Sequence, residues 1–151
     1  MKGIKMKDCR FYVNEDERTV VCVVPKTQDM VLDFIRENFE YHDIDLYEAI
    51  NFWDGNFYTK TLQMPRNFIG KAVCSKDDVW DEELGRMIAF SKAKEKCYKS
   101  FFKRANMFVQ TLDRRLGDAI TKFNDFGIRL ENNRLDLNQK IEERLNPTVN
   151  E

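Results

Sequence analysis

The feature that most constrains this chain is a helix-period run of apolar residues between about Trp80 and Leu130. Phe101, Ala105, Phe108, Leu112, Leu116, Ile120 and Phe123 recur in steps of three and four, which places them on one face of a helix. No proline lies between Pro65 and Pro147, so no ring-locked residue forbids the helix over that span. Unbroken, it would reach about 60–75 Å at a rise of ~1.5 Å per residue. A compact domain of this size has a radius of gyration of only about 13–15 Å. The apolar side therefore needs a bend, a second chain, or both. Gly117, the segment from Asp125 to Gly127, and Asn132 with Asn133 are the expected bends.

The same stretch concentrates the charge. Between Arg86 and Arg115 nine Lys and Arg residues face two acids, Glu95 and Asp113, although the whole chain carries a formal charge of −1. A chain of 151 residues with 42% hydrophobic and 34% charged residues reads as one soluble domain with a helical appendage. The expected division is an α+β core over 1–84 and a helical oligomerisation segment over 85–151, together one structural unit. No run approaches the ~20 apolar residues of a membrane span, and the N-terminus lacks the apolar core of a signal peptide, which predicts an intracellular protein. Cys9, Cys22, Cys74 and Cys97 are widely spaced and read as free thiols rather than zinc ligands.

Ahead of the helix, Arg10 to Val13 and Thr19 to Val24 are rich in β-branched and aromatic residues and predict an antiparallel β-hairpin. Thr27 stands where an N-cap belongs, before the helix-period set Met30, Val31, Phe34, Ile35 and Phe39. Tyr47 to Phe52 suggests a helical turn, and Asn56 to Leu62 another strand. Phe68 to Cys74 predicts a strand in which Gly70 marks a bulge or a close backbone approach. Ser75 to Asp78 resembles a cap for a helical turn through Val79 and Trp80, with Gly85 separating that turn from the long helix. The fold class is α+β, an N-terminal antiparallel sheet with a packed helix followed by long C-terminal helices that mediate oligomerisation.

Catalysis finds little support. The sole histidine, His42, has no framed nucleophile, and the carboxylates at Asp77, Asp78 and Asp81 to Glu83 fit helix starts, where negative charge meets the positive end of the backbone dipole. There is no phosphate-binding glycine motif, and nothing requires a cofactor or metal. Anion binding fits better. Phe90, Tyr98, Phe101 and Phe102 share a few turns with Lys92, Lys94, Lys96, Lys99, Lys103 and Arg104. Rings beside cations suit a nucleotide, with a π-face for the base and forked donors for phosphates. Asn106, Arg114 and Arg115 extend the set. The alternative is that the rings form an oligomer seam while the lysines, Lys92 and Lys94 among them, solvate the outer face.

Three stretches resemble a known family: Arg10 to Val21; Met64 to Phe90, which includes Met64-Pro-Arg-Asn-Phe-Ile-Gly-Lys-Ala-Val-Cys-Ser75; and Lys99-Ser-Phe-Phe-Lys-Arg-Ala-Asn106. In these the chain is similar to the first-described family of phage anti-Thoeris proteins, which are cyclic-nucleotide sponges. The resemblance implies an antiparallel β core with two C-terminal helices, assembly into dimers and hexamers, and residence in the host cytoplasm. It also implies binding of glycocyclic ADP-ribose without cleavage, with cyclic trinucleotides held at a separate site in some members. In that family an aromatic ring takes the adenine and arginines, some from the partner subunit, take the phosphates. Joined to the ring-and-cation reading, this makes Arg66, Phe90, Phe101, Phe102, Arg104, Asn106, Arg114, Arg115 and Arg129 the candidate ligand-binding residues. Rival readings are a protein-binding inhibitor of a host defence enzyme, a small RNA- or DNA-binding protein, and a hydrolase of the signal. No nucleic-acid polymer is the expected partner.

Overall fold

A computed structural model of the chain describes residues 3–39 and 61–145. The expected turn over Tyr47 to Phe52, most of the expected strand over Asn56 to Leu62, and His42 lie outside the described residues. Two compact units divide at Phe108 and Val109.

In the first unit, three antiparallel strands, β1 (Arg10–Asn14), β2 (Thr19–Val24) and β3 (Phe68–Val73), lie in the order β1-β2-β3. Tyr12 pairs Val21 and Val21 pairs Lys71, so β2 is the central strand and the most buried. The hairpin predicted from its β-branched residues is present. In its connection Asn14 Oδ1 accepts the Glu17 amide at 3.0 Å, and Arg18 takes the left-handed region with φ 49°.

Among the described residues are two α-helices, α1 (Met30–Phe39) between β2 and β3 and α2 (Glu82–Leu145) after β3. Thr27 does not cap α1 with its side chain. It is buried, and its hydroxyl donates to the Pro65 carbonyl while its amide donates to Arg66 O at 3.2 Å, which ties the start of α1 to the segment leading into β3.

Nor does Ser75 to Asp78 begin a helix. The Arg18 guanidinium donates to Lys76 O at 2.9 Å, to Cys74 Sγ at 3.2 Å and to Asp78 O, and this holds the segment as a loop. The N-cap of α2 is Asp81, whose Oδ1 accepts the Leu84 amide at 2.9 Å. Glu82 and Glu83 then sit in the first turn, as their charge favours. Gly85, expected as a break, lies inside α2, and a Cβ there would come within 2.8 Å of Val20. It is a point of close packing rather than an ending.

The core forms where α2 crosses the inner face of the sheet. Val20, Cys22, Val24 and Ala72 pack on Ala89 and Ala93, with Phe11, Phe68, Trp80 and Phe90 around them. Small residues at Ala89, Ala93 and Cys97, each four apart, let the helix backbone lie close to β3. Farther along, Phe101 meets Phe34 of α1 edge-on at 5.7 Å between centroids, and Ala105 and Phe108 are buried. The helix through Phe108 thus belongs to the first unit and its core.

In the second unit α2 continues to Leu145. Gly117, Asp125 to Gly127, and Asn132 with Asn133 do not end it, because an isolated glycine costs only about 1 kcal/mol of helix propensity. No described helix is long and apolar enough to cross a membrane.

Cys9, Cys22, Cys74 and Cys97 are free thiols, and no group of the described residues is arranged to hold a metal ion. Burial pushes the Cys22 thiol up to about 12 and Cys97 to about 11, from an ordinary 9.0. At pH 8 in native protein, Cys9 and Cys74 are expected to react with Ellman's reagent while Cys22 and Cys97 do not; all four react in urea. Because the folded values lie above the unfolded one, these two thiols favour the fold below about pH 9, and that contribution fades as pH rises from there. Two fast-reacting thiols at most, with stability that falls as pH rises above about 9, is the pattern a reactivity time course and a pH series check.

Candidate ligand-binding surface

Because α2 turns Ala89, Ala93 and Cys97 toward the sheet, the residues on its flank form a ladder facing outward. Lys94, Tyr98 and Phe102 follow one another at spacing four, with Ser91, Glu95 and Lys99 alongside. These six line an open hollow of about 590 Å³. The Lys94 ammonium sits 5.6 Å from the Phe90 ring centroid and 5.5 Å from that of Tyr98, a bridging cation–π arrangement. Tyr98 is fixed from its far end, since its hydroxyl oxygen accepts the Ile4 amide at 3.3 Å. Phe102, next along, is 72% exposed. Lys99 pairs with Glu95 at 2.6 Å, and that hydrogen bond and charge hold the Glu95 carboxyl below its usual value.

A second hollow of about 280 Å³ lies between Thr61, Lys103, Arg104 and Met107. Arg104 is largely committed to the protein: Nε donates to Gln63 O at 3.0 Å, and Nη1 donates to Ser100 O at 3.3 Å and to the Ser100 hydroxyl.

Two further hollows differ in character. One, of about 380 Å³, is bordered by Asp8, Asp33 and Glu37 against Lys26 alone, a field that repels an anion. The other, of about 200 Å³, is mostly apolar, walled by Val73, Val79, Trp80, Leu84 and Ile88.

The candidates read from the sequence fall into three groups. Phe102, Arg104 and Asn106 lie on or beside the basic hollows, with Asn106 exposed. Phe90 is half-buried under Lys94, and the Phe101 ring is spent on its contact with Phe34 in the core, so neither offers an open stacking face. Arg66 is exposed in the first unit, while Arg114, Arg115 and Arg129 belong to the second.

The lysines expected on a solvated face are also engaged. Lys92 Nζ donates to Lys71 O at 3.3 Å and Lys96 Nζ to Ile69 O at 2.9 Å, so both cover the outer edge of β3. Lys94 stands over the rings. Tyr98 was the ring missing from the candidate set, and its signal was present in the spacing of four that joins it to Lys94 and Phe102.

Comparison of the chain with protein-family models, with curated proteins and with solved structures finds no match.

Proposed function

We propose that this protein is a non-catalytic sponge for a cyclic nucleotide immune signal of the glycocyclic ADP-ribose type, withholding it from a host anti-phage defence. The single observation that carries the reading is the ladder of Lys94, Tyr98 and Phe102 beside Lys99, with one ring braced and one exposed. A purine stacks on such a ring, and the neighbouring ammonium groups lie within reach of its phosphates. The resemblance of Met64 to Phe90 and Lys99 to Asn106 to the anti-Thoeris sponges supports the same reading. Cyclic oligonucleotides share this chemistry and are secondary candidates.

Capture requires slow release rather than turnover, and a ligand held between copies of the chain leaves slowly. The working form is accordingly a homo-oligomer, a dimer or a higher assembly such as a hexamer, in the cytoplasm of a phage-infected cell. The apolar hollow beside Trp80, with Val79 90% exposed at its rim, favours a second reading as a protein-binding inhibitor.

The test is direct. Purified protein is incubated with glycocyclic ADP-ribose, filtered, heat-denatured, and the filtrate analysed; the ligand is expected back intact. Recovery of cleaved ligand would make the protein a hydrolase, and absence of binding would favour the inhibitor. In titration calorimetry, Phe102→Ala is expected to weaken binding by about 1–3 kcal/mol without changing the oligomer. Lys92→Ala, which alters only the edge of β3, changes affinity by less than about 0.5 kcal/mol.

A further inference from the structure

In the second unit one face of α2 repeats every seven residues: Val109, Leu116, Phe123, Leu130 and Leu137. These side chains are 45–76% exposed, and Leu112, Phe126, Ile120 and Ile141 widen the stripe. A straight helix drifts about 20° per seven residues against such a repeat, so holding the stripe in contact with a partner requires a second helix wound on it with left-handed supercoil.

We infer that this face is the seam of an antiparallel two-stranded coiled coil with a second copy of the chain, centred near residue 128. The inference rests on the homo-oligomer reading above and gives it a register. What selects the occupant is charge. Beside the seam, one flank carries Arg115, Lys122 and Arg129 in its first half and Asp136 and Glu143 in its second. Run antiparallel, a copy of the same helix sets Arg115 against Glu143 and Lys122 against Asp136, each pair occurring twice by symmetry. Only Arg129 meets its own like.

The seam then stacks Leu130 on Phe126 at the centre and Leu137 on Ala119 farther out, large against small. Phe123 faces Asn133, and Leu116 lies along the aliphatic stem of Lys140. A parallel pair does worse. It opposes Arg129 to Arg134 on both flanks and places Lys140 against Lys140 and Arg144 against Arg144 within the seam. Asp136 holds Lys140 at 2.6 Å along its own helix, with both side chains exposed, so it is poised at the surface where a second cation arrives.

The experiment uses the full-length chain and sedimentation equilibrium. The parent is expected to sediment as a multiple of the chain mass at low micromolar concentration. Lys122→Glu and Asp136→Lys are each expected to weaken self-association about tenfold, since each turns two attractive pairs repulsive. The double variant Lys122→Glu with Asp136→Lys exchanges the signs and is expected to recover most of the parent's association. Circular dichroism checks that each variant keeps its helix. In a parallel pair Lys122 faces Gly127 and Asp136 faces Ile141, so the double variant would not recover, and that result overturns the register while leaving the oligomer. A stable oligomer insensitive to both single reversals does the same. A monomer at tens of micromolar overturns both the register and the homo-oligomer reading.

Discussion

Gly70→Val is expected to prevent the first unit from folding. A Cβ at Gly70 would lie 2.0 Å from Ala89 O, 2.6 Å from Ala93 N and 3.1 Å from Ala89 C. All three are backbone atoms of α2, so no side chain can swing aside, and the helix itself must move off the sheet. That separates Ala89 and Ala93 from Val20, Cys22 and Val24, the central contact of the core. Gly70→Ala alone is expected to cost about 3 kcal/mol or more, the upper range for forcing extra volume into a packed interior. Valine adds two methyl groups at the same point and exceeds what a domain with ~5–15 kcal/mol of stability tolerates. Gly117→Ala makes the contrast: nothing lies within 4 Å of its position, and removing a mid-helix glycine is expected to raise stability by about 1 kcal/mol. Urea unfolding followed by circular dichroism measures both, and a Gly70→Ala midpoint equal to the parent's would mean that the close approach is not there.

The hairpin and β3 were legible because β-branched residues and turn formers are local signals, and Gly70 was legible as a close approach because a glycine inside a strand has few other uses. The start of α2 was misread for a reason that is not local. Ser75 to Asp78 has cap chemistry, but Arg18, far back in the chain, takes the carbonyls of Lys76 and Asp78, and the cap falls to Asp81. No pattern in residues 75–85 records that competition. The same limit applies to the candidate site. Periodicity put Phe90, Phe101 and Phe102 on the same turns, yet which ring remains open depends on where α1 delivers Phe34. Arginine chemistry made Arg104 attractive, and the structure uses most of its donors on Gln63 and Ser100. Lys92 and Lys96 looked like a solvated face until the edge of β3 supplied acceptors for them. Residue type specifies what a side chain can bind; tertiary neighbours decide what is left to bind.

Phe108 and Phe123 stand on what the sequence presents as a single apolar stripe, and the structure separates them. Phe108 is 0% exposed and the largest fully buried side chain among the described residues, whereas Phe123 is 76% exposed in the second unit. Phe108→Ala removes a ring from a fully buried site one turn beyond the buried Ala105. The expected cost is about 3–5 kcal/mol of stability, which lowers the urea midpoint at every protein concentration. Phe123→Ala removes a ring that the single chain leaves in water. Its expected effect on the isolated chain's stability is within about 0.5 kcal/mol, and its loss is seen only in association, as weaker self-assembly and an unfolding midpoint that depends less steeply on concentration. The pair of variants therefore reads out where the core ends along α2. If Phe123→Ala lowers the midpoint as much as Phe108→Ala at concentrations where both proteins are monomeric, the ring is buried within its own chain, and the seam assigned to the second unit has no free face to offer.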